Sequence, residues 1–178
     1  MLCGERHAAP ERRRARFGAE GVALALLVAA SLARVPTAGA SAFINIVDAA
    51  VTLMPTPTDY DNDYVEATGA AGITLKVKTN SLAGMVLLVR SASTAPAIAI
   101  GDLLVRTMSA PGQGGTSLST YTSLGPTNLT LWSTGVEQGP FILVDVDIRV
   151  RNLMNYVDAS GAGFTYYTNT LIFTVFEQ

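Results

Sequence analysis

The sequence predicts an all-β protein: an antiparallel immunoglobulin-like β-sandwich of about 7–9 strands, preceded by a cleavable helical signal peptide. Three observations lead there. Apolar residues alternate with period two through most of the chain after residue 41. The intervals between those segments carry Gly and Pro, as in Gly125-Pro126 and Gly139-Pro140. No stretch after residue 41 shows a helical apolar stripe. The chain divides into residues 1–40, a signal peptide, and residues 41–178, a single β-sandwich domain.

The leader comes first. Arg6, Arg12, Arg13, Arg14 and Arg16 form a basic n-region, and Gly21 to Ala33 is an apolar h-region closed by Arg34. That run is shorter than the roughly 20 residues a membrane-spanning helix needs, so it targets rather than anchors. Ala38-Gly39-Ala40 fits the small-x-small pattern of a signal peptidase and places cleavage between Ala40 and Ser41, with Ala40-Ser41-Ala42 as the alternative. The spacing of Phe17 from the arginines favours ordinary Sec export over a twin-arginine signal. The expected destination is the periplasm, the cell surface or the extracellular medium, with no membrane anchor in the mature chain.

Cleavage changes the available chemistry, because Cys3 and His7 are the only cysteine and histidine of the chain. A mature protein without them has no disulfide framework, no Cys or His zinc site, no Ser-His-Asp triad and no Cys-His dyad. From Ser41 on, six Lys and Arg face eleven Asp and Glu, a net charge of −5, which is a poor surface for nucleic acid. The expectation is therefore a protein that is not an enzyme and has no nucleic-acid partner.

The strands follow in order. Phe43 to Leu53 is an apolar run, Tyr64 to Ala67 a short candidate, and Ile73, Leu75 and Val77 alternate with Thr74, Lys76 and Lys78. Met85 to Arg90, Ile98 to Met108 and Asn128 to Ser133 add three less regular candidates. Phe141 to Arg151 is the clearest: Ile142, Val144, Val146, Ile148 and Val150 on one side, Asp145, Asp147, Arg149 and Arg151 on the other. A one-residue slip would bury those charges, so its register is strongly specified. Tyr167, Asn169, Leu171, Phe173 and Val175 define the closing strand. Further turns are expected at Pro111 to Gly115 and Gly161 to Gly163.

Candidate sites are sparse. Asp59, Asp61 and Asp63 match the first three ligand positions of an EF-hand loop, but the glycine of position six is Tyr64 and the glutamate of position twelve is Ala70. The preferred reading is a turn leading into the strand at Tyr64; the alternative is a looser calcium site of Asp59, Asp61, Asp63 and Glu66. No other cofactor is expected. Asp145 and Asp147 form a carboxylate pair, yet Arg149 and Arg151 on the same face favour a solvated charge ladder over acid catalysis. Trp132, the single tryptophan, shares a face with Asn128 and Thr130 if Leu129 and Leu131 point inward. There it either covers the rim of the sandwich or, as an exposed indole, stacks on a sugar. Asn128-Leu129-Thr130 is also a glycosylation sequon.

The segments DYDNDYVEA, ITLKVKTNS, GDLLVR, VDVDIRVRN and the ending YYTNTLIFTVFEQ together resemble exported bacterial β-sandwich proteins of the fimbrial and spore-coat-protein-U-like type. The chain lacks the cysteine pair typical of chaperone-usher pilins and coat-U domains. The resemblance implies a noncatalytic structural or adhesive protein of the bacterial envelope or surface, a self-assembling fimbria-like subunit. Its partners would be further copies or other envelope proteins, reached through strand edges. Residues 43–53 then stand where a donor strand would, although pairing inside their own sandwich is preferred. The competing class is a carbohydrate-binding module using Trp132.

Overall fold

The computed structural model describes residues 24–30, 40–48, 50–92, 97–108, 115–156 and 167–178, the first of these by backbone only. The basic n-region, Ala38-Gly39, and the turn signals at 111–114 and 161–163 lie outside the described residues.

The fold is an all-β sandwich of two six-stranded sheets. Its strands are β1 (Leu24–Ala30), β2 (Ala42–Ile46), β3 (Ala50–Leu53), β4 (Tyr64–Ala67), β5 (Ile73–Thr79), β6 (Met85–Ser91), β7 (Leu103–Thr107), β8 (Gly115–Ser117), β9 (Thr122–Ser123), β10 (Leu129–Thr134), β11 (Gln138–Arg151) and β12 (Tyr167–Glu177). Sheet I runs β3-β1-β12-β6-β10-β8; sheet II runs β2-β5-β11-β7-β9, with β4 also on β11. Neighbours are antiparallel except β1 and β12.

The period-two reading explains the core. Ile73, Leu75 and Val77 of β5, Val144, Val146, Ile148 and Val150 of β11, Met85, Leu87 and Val89 of β6, and Leu171 and Phe173 of β12 are all fully buried between the sheets. β11 is the organising strand of sheet II. On one side it pairs Ile142 to Val146 with β5 and Ile148 to Arg151 with β4; on the other it pairs Val146 to Val150 with β7. Gly139-Pro140, expected as a turn, lies inside β11 as a cis peptide at a register irregularity between Gln138 and Ile142.

Two departures from the sequence reading have clear causes. The apolar run 43–53 is two strands, β2 in sheet II paired with β5 and β3 in sheet I paired with β1, because the chain crosses between sheets near Asp48. Both halves therefore pair within their own sandwich. Pro57–Asn62 forms a short helix, α1, where a turn was expected. Thr56 caps it, its hydroxyl accepting from Asp59 N while the Asp59 carboxylate accepts from Thr56 N, and Pro57 supplies the preset first-turn φ. Leu24–Ala30, within the expected leader, pairs as β1 with β12 along seven residues and with β3 along its first four.

Candidate functional site

The charges that looked like chemistry lie on the outer face of sheet II and at its α1 end, and they are engaged with one another. Between β4 and β5 the chain makes a 3-10 turn, Gly69–Ala71, that interrupts pairing with β11. Gly72 lets this turn close down, since a Cβ there would sit 2.4 Å from the Val146 carbonyl oxygen. The turn delivers the Gly69 N–H to the Asp147 carboxylate at 2.8 Å, and Arg106 Nε donates to its other oxygen at 2.8 Å. Asp147 is fully buried as a result, so the wet face expected for β11 is dry at this position. Asp145, its supposed partner, accepts from the Thr74 hydroxyl instead.

Beside it, Glu66 accepts from Arg149 Nη2 at 2.7 Å and from the Tyr121 hydroxyl at 2.9 Å. Planar groups alternate along the surface: Arg149 stacks on Tyr64 at 4.2 Å and Tyr121 at 4.0 Å, and Arg106 takes the Tyr121 ring at 4.3 Å. Each exposed contact of this kind contributes about 0.5–1 kcal/mol. Burial pushes the Glu66 carboxyl up, but hydrogen bonds from Arg149 and Tyr121 and the nearby positive charges outweigh it, and the pKa lies below its ordinary value. Tyr121 is pushed up to about 12 by burial, then by its bond to Glu66. The Arg106 guanidinium is held charged chiefly by its bond to Asp147.

A second network ties down the α1 end. Asp102 accepts from Tyr156 Oη at 2.7 Å and from the Asn152 amide, with Arg151 Nε at 3.9 Å. The Tyr156 hydroxyl accepts from Ala99 N at 3.0 Å; burial and the Asp102 carboxylate push it up to about 12.

Three of the four residues of the calcium alternative are engaged elsewhere. Asp59 closes the α1 cap, Asp63 takes a left-handed φ of 61° and accepts from Leu153 N at 3.0 Å, and Glu66 belongs to Arg149. Asp61 is exposed on α1. Among the described residues no group of three or more His, Cys, Asp or Glu is placed to hold a metal ion.

Trp132 is not the exposed indole of the carbohydrate reading, nor a rim cover. A β-bulge between Thr130 and Trp132 inverts the alternation, so that Leu131 and Trp132, adjacent in sequence, are 0% and 1% exposed. The bulge carbonyl of Leu131 accepts from the Thr107 hydroxyl and from Leu118 N, both at 2.8 Å, linking β10 of sheet I to β7 of sheet II. The indole packs on Gly115, where a Cβ would lie 2.3 Å from Nε1. Nothing in the hydropathy pattern announces the bulge; the run Leu129-Thr130-Leu131-Trp132 reads as plain alternation.

Part of the exposed surface is apolar. On the outer face of sheet II, Lys78 Nζ sits between Phe43, at 4.8 Å, and Phe141, at 4.6 Å from the ring centres. Phe43, Val47, Phe141 and Leu143 are all at least 39% exposed. They run from β11 across β5 to β2, the outer strand of sheet II, whose sequence Ala42-Phe43-Ile44-Asn45-Ile46 carries no charge and no proline. The expected cleavage junction, Ala40/Ser41, immediately precedes it, with the Ser41 carbonyl accepting from Asn80 N at 3.2 Å. Among the described residues no helix is long and apolar enough to cross a membrane.

Comparison with protein-family models, with curated proteins and with solved structures finds no match.

Proposed function

We propose that the chain is a noncatalytic exported structural protein of a bacterial envelope or surface, and that it self-associates through strand edges as a fimbria-like subunit. The observation that carries this reading is the contrast between its two kinds of surface. Its buried and half-buried carboxylates are held by internal arginines, hydroxyls and backbone N–H groups. The β2 edge, by contrast, lacks the lysines, prolines and bulges with which soluble sheets block edge pairing, and exposed Phe43 and Val47 lie in or next to it, with Phe141 and Leu143 two strands away on β11. Such an edge favours β-augmentation, in which main-chain bonds supply affinity and alternate side chains supply selectivity.

Sedimentation velocity over a wide concentration range tests the reading. The expected result is concentration-dependent oligomers that disappear in Asn45→Lys, which places a charge on the exposed edge without touching the core. Monomer at every concentration would refute it.

A further inference from the structure

One corner of the outer face of sheet II is built differently from the rest. Its outward side chains form three rows across β2, β5 and β11: Phe43, Lys78 and Phe141; Asn45, Lys76 and Leu143; Val47, Thr74 and Asp145. β5 is the middle strand of the three, so both lysines stand at the centre of the patch. Lys76 is exposed, and the half-buried Lys78 holds its ammonium over both phenylalanine rings. The first two rows contain two cations and no carboxylate. In the third, Asp145 accepts from the Thr74 hydroxyl, while Glu137 lies just before β11 and Asp48 just after Val47.

This corner opposes the charge of −5 carried by residues 41–178. The α1 carboxylates, together with Asp63, stand at the other end of β11, where Tyr64 pairs with Arg151. At roughly 3.3 Å per residue, Phe141 and Arg151 are about 30 Å apart along that strand. The screening length in physiological salt is only about 8 Å. A surface that meets the corner therefore feels the lysines and not the α1 acids.

The make-up of the patch selects its occupant. A sugar would stack on the phenylalanine rings, and Lys78 already lies over both. Lysine is depleted at the centre of protein interfaces, and here it is the centre. A lipid surface suits both kinds of residue: phenylalanine and leucine enter the boundary between headgroups and acyl chains, while lysine ammoniums reach the phosphates on flexible apolar stems.

We propose that this corner of sheet II docks on an anionic lipid bilayer, with Phe43, Phe141 and Leu143 in the headgroup boundary, Lys76 and Lys78 on lipid phosphates, and α1 held away from the surface. The contact uses the face of the sheet and is independent of pairing at the β2 edge.

The test is an environment-sensitive fluorophore on the full chain carrying Cys3→Ser and Val47→Cys, at concentrations where the chain is monomeric. Vesicles of phosphatidylcholine and phosphatidylglycerol in equal parts should shift its emission to the blue, and pure phosphatidylcholine should need at least about tenfold more lipid to do so. The same label at Asp61→Cys, on α1, should not respond. Lys76→Glu with Lys78→Glu, and separately Phe141→Ser, should each raise the lipid required at Val47→Cys by at least about tenfold. Raising the salt to about 0.5 M should reverse the shift in the chain with both lysines intact, an answer that needs no folded variant. A chain that sediments with the vesicles while the Val47→Cys label stays silent is held by its N-terminal segment alone, and overturns the proposal. Equal shifts of the two labels also overturn it. So does a shift that follows oligomerisation but not vesicles, which would put a second copy on the face. Asn45→Lys separates this face from the β2 edge: it adds a cation beside Lys76, so it should bind the mixed vesicles more tightly while abolishing oligomers, and weaker binding counts against the proposal.

Discussion

Glu66 and Tyr121 share one hydrogen bond yet respond to opposite ends of the pH scale. The Glu66 pKa is lowered on folding from 4.5, so its contribution is fully present above that value and fades as the pH falls through the folded one. The Tyr121 pKa is raised from 10.0 to about 12, so its contribution is present below 10.0 and is lost as the pH rises towards 12. Thermal melts from acid to alkaline pH should show both limbs. Glu66→Gln is expected to flatten the acid limb and, because the pair is partly exposed, to cost under about 1 kcal/mol at neutral pH. Tyr121→Phe should flatten part of the alkaline limb, with Tyr156 responsible for another part. Trp132 offers a second reading at this scale. Its emission should be blue and insensitive to iodide, because the indole is 1% exposed. Gly115→Ala should shift that emission and lower the melting temperature, because the added methyl meets the ring nitrogen.

At the scale of elements, the 3-10 turn 69–71 and the β10 bulge do the same work: each breaks a ladder locally and supplies a partner for the group it strands. Asp147→Ala leaves the Gly69 N–H and the Arg106 guanidinium without their acceptor, and should cost about 3 kcal/mol in urea unfolding. Thr107→Val should cost about 1 kcal/mol, less because Leu118 N still reaches the Leu131 carbonyl. These two interruptions also mark where the sequence stopped being legible. β5, β11 and β12 follow from alternation because the sandwich interior wants every second residue. The bulge shifts that count by a residue without any change in composition, so Trp132 turns inward, whereas Asp147 keeps its outward place on β11 and is buried there by the 3-10 turn and Arg106. The cap of α1 was written in Thr56-Pro57-Thr58-Asp59, but α1 is too short to show a stripe.

For the whole molecule, two sheets and their apolar interior were readable, whereas the order of the strands in each sheet was not, because alternation marks a buried face and says nothing of which strand lies beside it. The β2 edge emerges only once strand neighbours are known, because an edge is a property of the sheet order and not of one segment.

β11 and β12, around which the two sheets are assembled, are the last two strands in chain order among the described residues. A nascent polypeptide emerging from the ribosome can form local ladders such as β2 with β5 and β6 with β10, but it has neither hub until translation is nearly finished. The separate ladders are therefore joined into two sheets only in the last stage of synthesis.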